Sequence, residues 1–170
     1  MKVFAATLSL LALCLAAGIL EAATVSSAGK QFVLAEEPAD AADVIHCRKE
    51  AINGREIVCV GRIGGRKNPW VKGACAFSLV DRSLVPCNEK HGDNCPTPWD
   101  YCCSPNLAQS MVLVMFVDSN GKMVRKDARE LLGVKELDMV VIRGKARRDK
   151  SGNLTIVASR IFVPEANEAL

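Results

Sequence analysis

Five short segments rich in β-branched and aliphatic residues limit what this 170-residue chain can fold into more than any other feature. Turn-forming residues such as glycine, proline, asparagine, serine and aspartate lie at or near the ends of these segments, a pattern typical of β-strands that end in turns. The third segment is apolar on both faces, so we expect it to be a central strand covered on both sides. The segments span residues 57–63, 74–80, 111–117, 140–146 and 154–163.

One short helix is predicted between the third and fourth strands. Asp127 can cap its first turn, Glu130 follows at the capping-box position, and Gly133 supplies the stop. Five main strands with a helix between the third and the fourth match the order of a barrel of the oligonucleotide/oligosaccharide-binding (OB) type, in which closure of the sheet removes its open edges. The predicted fold class is therefore all-β with one short helix, a five-stranded OB-type β-barrel.

The N-terminal residues have the pattern of a secretory signal peptide. A basic start at Lys2 precedes an uncharged apolar run over residues 3–20. Small residues at 18–28 offer several cleavage sites, and we assign residues 1–23 to the signal. The sequence thus predicts an exported protein of the periplasm, the cell envelope or the medium.

Two alternatives to a cleaved signal stay open. Cys14 could carry a lipid anchor, but Leu13 stands where lipoprotein processing needs a small residue. The apolar run could also remain as a membrane anchor, although it is marginal against the about 20 apolar residues that a span takes. We therefore expect no lipid anchor and no membrane span after cleavage.

The remaining chain is long enough for one domain. Residues 24–43, rich in alanine, serine and acids, are predicted to form a flexible linker. The OB-like domain follows over residues 44–164 and a frayed tail over 165–170. Within the domain, residues 81–106 form a long cysteine- and proline-rich insertion after the second strand.

The string CPTPWDYCC at residues 95–103 is the most distinctive part of the chain. Together with the shorter strings PCNE, GRIGG, NPW and ARELLG, it resembles a family of uncharacterised exported bacterial proteins with an OB-like domain. The resemblance covers roughly residues 57–163. It implies a fold and a compartment, and it implies no activity.

Eight cysteines are present, and seven remain after a signal that contains Cys14. Export makes disulfides the default state, and an odd number leaves at least one thiol free, buried or shared with another chain. Cys59 and Cys75 lie on strands that we expect to pair, so they either form a cross-strand bridge or serve as small core residues. Cys47 precedes both.

The insertion gathers four cysteines and a histidine within 17 residues. Two disulfides would hold a loop that has few aliphatic residues to order itself, and this is the favoured interpretation. The same side chains are soft ligands for Zn or Cu(I), which leaves a metal site open as the alternative, although the spacing fits no standard zinc module. The residues are Cys87, Cys95, Cys102 and Cys103, with His91 as a further candidate metal ligand.

Two basic groups are predicted to flank the ligand face of the barrel. Aromatic side chains nearby, Trp70, Trp99 and Tyr101, could stack on bases or sugars. The competing interpretation is a solvated charged surface with the aromatic rings packed under the insertion. With Trp70, the candidate ligand-binding residues are Arg62, Arg66, Lys67 and Lys72 in the first group and Arg143, Lys145 and Arg147 in the second.

The chain carries no complete catalytic motif and no cofactor signature, so we expect a protein that is not an enzyme and uses no cofactor. The predicted function is an exported binding or scaffold module of the cell envelope, with an anionic glycan or polymer as the favoured ligand. Alternatives are a cysteine-rich Zn- or Cu-binding envelope protein and single-stranded nucleic-acid binding. The formal net charge of +3 is too small to imply nucleic acid, and an exported protein meets little of it. Oligomeric state does not follow from the sequence.

Overall fold

The structure is a computed structural model that describes residues 24–90, 92 and 95–164. The predicted signal peptide with Cys14, the C-terminal tail and His91 lie outside these residues. Among the residues described, no helix is long and apolar enough to span a bilayer.

The regular secondary structure of the described residues is mostly β-strand, with two short α-helices. Short 3-10 turns at Cys87–Glu89 and Leu107–Gln109 lie in and directly after the insertion. The strands are β1 (Ala42–Asp43), β2 (Glu56–Ile63), β3 (Ala76–Val80), β4 (Met111–Phe116), β5 (Met139–Arg148) and β6 (Leu154–Phe162), and the helices are α1 (Val44–Glu50) and α2 (Ala128–Leu132).

Strands β2 to β6 close into a five-stranded mixed barrel. β2 pairs antiparallel with both β3 and β5, β3 pairs antiparallel with β4, and β6 pairs antiparallel with β5. The circuit is completed by a parallel pairing of β4 with β6. This connectivity, with α2 between β4 and β5, is that of an OB barrel. The predicted fold class is confirmed, and the insertion follows the second barrel strand as expected.

Strand β4 shows how the barrel sorts its side chains. Val112, Val114 and Phe116 are buried, whereas Leu113 on the other face is 38% exposed. A closed barrel has one interior, so alternate residues of each strand face outward. The expectation that this strand is covered on both faces is therefore wrong, and its outer face is available to a ligand.

Helix α2 has the caps that the sequence predicted. The Asp127 carboxylate accepts a hydrogen bond from the Arg129 backbone N–H at 2.9 Å. Gly133 ends the helix in the left-handed region, with φ of 68°, and its N–H donates to the Arg129 carbonyl. The buried side chains of Leu131 and Leu132 then join the core, so the helix packs against the barrel interior.

Residues 24–43, predicted to be a flexible linker, pack against the barrel instead. Phe32 is only 5% exposed, and its ring meets Phe116 edge to face at 5.6 Å. The Ile161 N–H donates to the Phe32 carbonyl, and the Ile161 carbonyl accepts from Leu34 N–H. The linker prediction is wrong, because a short apolar run finds a buried site and backbone partners beside β6.

Helix α1 was not predicted, since its cap comes from far along the chain. The side chain of Asp43, at the N-cap position, makes no capping hydrogen bond. Asp81 takes that role, accepting from the Ile45 N–H at 2.7 Å. Val44 and Cys47 are the buried residues of the helix, so α1 is held on the barrel by tertiary contacts.

Candidate ligand-binding groove and cysteine cluster

A groove of about 850 Å³ lies between the loop 64–75, which joins β2 to β3, and the hairpin 149–153, which joins β5 to β6. Met111 and Leu113 of β4 contribute to its lining. Val71 in the loop is 40% exposed, so the groove presents apolar surface as well as polar groups.

Two arginines bring positive charge to this groove. Arg48 of α1 reaches across to β4, where its Nη1 donates to the Met111 carbonyl at 2.8 Å. Arg66 lies in the loop and is exposed. Sequence reasoning found Arg66 but missed Arg48, because nothing local to helix α1 indicates that it packs beside β4.

The first predicted basic group is divided by the structure. Arg66 and Trp70 line the groove, whereas Lys67 and Lys72 are exposed on the same loop outside the lining. Arg62 points elsewhere, because its Nη1 forms an ion pair with Glu89 Oε1 at 2.7 Å. That ion pair joins β2 to the insertion.

The second predicted basic group does not lie at the groove. Arg143 pairs in register with Val58 and lines a separate cavity of about 610 Å³ beside α1. Lys145 and Arg147 are exposed on β5 and line neither cavity. The expectation that both groups flank one face is wrong. Arg143 and Lys145 lie on the strand that the sequence predicted, and β5 continues to Arg148, so Arg147 also lies on the strand and not in the hairpin.

Trp70 is part of the core and cannot stack on a ligand. It is 8% exposed, and its Nε1 donates to Glu136 Oε1 at 2.6 Å. Its ring and that of Phe77 meet edge to face at 5.8 Å, and the Arg129 guanidinium lies 5.3 Å from the Trp70 ring centre.

The two aromatic side chains of the insertion also pack inward. Tyr101 is fully buried, and its ring lies 3.1 Å from the position that a Cβ on Gly64 would occupy. Trp99 is half-buried and donates through Nε1 to the Lys67 carbonyl at 3.1 Å. The interpretation of rings packed under the insertion is therefore the one that the structure supports.

Three thiols of the insertion converge. The Cys87 and Cys102 sulfurs lie 3.6 Å apart, and those of Cys102 and Cys103 lie 3.8 Å apart. The three sulfur atoms all lie within 4.8 Å of one another. These separations exceed the about 2.05 Å of a disulfide bond, so the predicted bridges stay a prediction.

Cys95 belongs to the same cluster. Hydrogen bonds with Thr97, at 3.4 Å to its carbonyl and its hydroxyl, lower the pKa of the Cys95 thiol, and the Cys87 and Cys102 thiols lower it further. Hydrogen bonds with Cys87 and Cys103 raise the pKa of Cys102 to about 12. Loss of the thiol proton is therefore favoured at Cys95 and disfavoured at Cys102.

The buried cysteines are arranged differently from expectation. A hydrogen bond with Cys59 lowers the pKa of Cys47, and the same contact with burial raises that of Cys59. Cys75 lies apart, where burial and the charge of Asp127 raise its pKa to about 12. The cross-strand bridge between Cys59 and Cys75 is not supported, because β2 pairs with β3 only near its end, at Arg62 and Ile63.

No family model and no curated protein matches the chain. Among solved structures, the hypothetical protein YgiW from E. coli is 14% identical over 75% of this chain and 94% of its own, with a TM-score of 0.40. A small single-stranded DNA-binding protein from Streptomyces coelicolor is 16% identical over 68% and 98%, with a TM-score of 0.37. The mitochondrial single-stranded DNA-binding protein Rim1 of S. cerevisiae is 13% identical over 66% and 96%, with a TM-score of 0.36. The OB assignment rests on the strand pairing described above.

Proposed function

We propose that this chain is an exported OB-type binding module of the cell envelope and that it holds an anionic polymer in the groove between loop 64–75 and hairpin 149–153. The groove itself is the observation that carries the proposal. It lies between the two loops that flank the ligand face of OB barrels generally. Its length across two loops and a strand suits an extended ligand, and the N-terminal sequence supports export.

The charge lining the groove favours an anion. Arg48 is held in place by the Met111 carbonyl, and Arg66 is exposed to solvent. Asp149 is the acidic residue among the described residues that line the groove, and its carboxylate is hydrogen-bonded within its own hairpin. Its carboxylate accepts hydrogen bonds from Ser151 N–H and from the backbone and side chain of Asn153, each at 2.9 Å. Two cations thus face one carboxylate that is already satisfied.

The aromatic side chains argue against single-stranded nucleic acid as the preferred ligand. Base stacking on an aromatic ring contributes about 1–3 kcal/mol per base in proteins that bind single strands. Trp70, the aromatic residue that lines the groove, is buried and engaged with Glu136 and Arg129. Recognition therefore relies on charge and on the apolar surface of Leu113 and Val71.

Titration calorimetry with a heparin oligosaccharide, a polyphosphate and an oligothymidylate tests the proposal. We expect the first two to bind at low salt and the oligothymidylate to bind more weakly. Arg66→Ala should weaken binding by roughly tenfold if one desolvated charge contact is lost, while Lys145→Ala on β5 should bind like the wild type. No binding at low salt, or equal losses in both variants, would contradict the proposal.

A further inference from the structure

The sulfur separations in the insertion match those of a metal-thiolate site. In tetrahedral zinc coordination with Zn–S bonds of about 2.3 Å, neighbouring sulfurs lie about 3.8 Å apart. The Cys87–Cys102 and Cys102–Cys103 separations are 3.6 and 3.8 Å. A disulfide would instead join two of these atoms at about 2.05 Å.

A fourth sulfur, that of Cys95, lies beside those of Cys87 and Cys102. Cys95 is held by two contacts of 3.4 Å to Thr97 and interacts with the Cys87 and Cys102 thiols. The thiolate is the form of cysteine that ligates metal, so each thiol would lose its proton on binding an ion. Four sulfur donors complete the ligand set of a closed structural zinc site.

Backbone hydrogen bonds bring the two halves of the loop together. The Cys87 N–H donates to the Asp100 carbonyl at 2.9 Å, and the Asn88 N–H donates to the Pro98 carbonyl at 3.0 Å. Cys87 is buried, while Cys102 and Cys103 are exposed. The donors are thus positioned by the backbone, and an ion reaches them from solvent.

We infer that the insertion binds one Zn²⁺ ion through the sulfurs of Cys87, Cys95, Cys102 and Cys103. On binding, each thiol releases its proton to solvent and no electron is transferred. This site is separate from the groove, because none of its four ligands lines the groove. Failure of the zinc inference would leave the polymer proposal standing.

The full-length protein, reduced and freed of metal, is titrated with zinc against a chromophoric chelator, and the stoichiometry is read by native mass spectrometry. We expect one ion per chain, and Co²⁺ in its place should give strong thiolate-to-metal charge-transfer absorption. Cys102→Ala should lower zinc affinity by at least about tenfold, the smallest loss typical of disturbing even an outer-shell partner. Cys75→Ala, a matched change of a cysteine outside the cluster, should leave affinity unchanged.

Three results would overturn the inference. The first is reduced protein that binds no zinc, and the second is wild-type affinity in Cys102→Ala. The third is the finding, by mass analysis of protein recovered after export, that all four cysteines are joined in two disulfides. Should Cys102→Ala lose its β-sheet circular dichroism, the exposed Cys103→Ala provides the same comparison.

Discussion

At the scale of single residues, Asp81 does more than cap a turn. It is 2% exposed and accepts hydrogen bonds from Ile45 N–H at 2.7 Å, from Ser83 N–H at 3.0 Å and from Ser83 Oγ at 2.6 Å. Burial alone would raise its pKa, but these hydrogen bonds lower the pKa of Asp81 overall. One carboxylate thus fixes both helix α1 and the first turn of the insertion.

We predict that Asp81→Ala lowers the free energy of unfolding by about 1–3 kcal/mol, because it leaves buried donors without an acceptor. A carboxyl with a lowered native pKa stabilises the fold fully above its ordinary pKa of about 3.9 and loses that effect as pH falls through the native value. The difference between wild type and Asp81→Asn, measured by urea unfolding, should therefore shrink from pH 7 toward pH 3. Glu36→Ala, at an exposed site, is the control. A difference that grows on acidification would contradict the assignment.

Cys75 gives a second test at this scale. Burial and Asp127 raise its pKa to about 12, so almost no thiolate exists at pH 8. We predict that iodoacetamide modifies Cys75 only after denaturant is added, while the exposed Cys103 of metal-free, reduced protein reacts without it. Peptide mass analysis at timed intervals measures both. Equal rates for the two residues in folded protein would show that Cys75 is not buried as described.

At the scale of elements, the sequence predicts those that are fixed by local signals and does not predict those that depend on long-range contacts. Helix α2 was predicted because Asp127 and Gly133 cap it within seven residues. Helix α1 was missed because its cap is Asp81, 36 residues away from Ile45. The packed segment around Phe32 was missed for the same reason, since its partners lie on β6.

The site shows the same division. Arg66 was predicted because it lies in a loop whose position follows from strand order. Burial of Trp70 depends on Glu136, 66 residues along the chain, so no local pattern indicates that the ring is unavailable to a ligand. The convergence of Cys87 with Cys102 was anticipated as a cluster, although spacing alone could not separate disulfides from metal ligands.

Helix α2 offers a comparison of two variants at Asp127. This carboxylate caps the helix and also forms an ion pair with Arg129 at 2.7 Å. Asp127→Ala should destabilise the protein by about 1 kcal/mol through loss of the cap. Asp127→Asn keeps a cap and loses an exposed ion pair of small value, so it should lie within about 1 kcal/mol of wild type and above the alanine variant. Denaturant midpoints measure the order, and equal losses would mean that the ion pair dominates.

The insertion is predicted to loosen independently of the barrel. It contains few aliphatic residues, so the cysteine cluster adds to the order that the buried Tyr101 and the backbone hydrogen bonds of Cys87 and Asn88 supply. Changing Cys87, Cys95, Cys102 and Cys103 together to serine should raise protease cleavage within residues 81–106 first, with β-sheet circular dichroism largely retained. Complete loss of cooperative unfolding would instead place the insertion in the folding core.

At the scale of the whole molecule, distribution of charge matters more than its sum. The net charge of +3 is small, whereas Arg48 and Arg66 meet in one groove. The insertion supports that groove, because the Trp99 carbonyl accepts from Gly65 N–H and its indole donates to the Lys67 carbonyl. Groove, loop and insertion therefore form one continuous surface on the barrel.

Salt dependence follows from this charge distribution. If two arginines displace condensed counterions, a plot of log affinity against log salt concentration should have a slope of about −2, and Arg66→Ala should reduce its magnitude by about one. Calorimetry with polyphosphate across a salt series measures both slopes. A slope near zero would mean that the ligand is held by apolar contacts alone.

The most direct test of the account is to map the bound polymer on the protein by amide chemical shifts. Isotope-labelled protein is titrated with the heparin oligosaccharide or polyphosphate that binds in calorimetry. We predict that the largest shifts occur at Arg66, Leu113 and Asn153, which line the groove, and that Lys145 and Arg147 on β5 change little. Shifts concentrated on β5 with none in the groove would contradict the central claim that this OB barrel binds its ligand between loop 64–75 and hairpin 149–153.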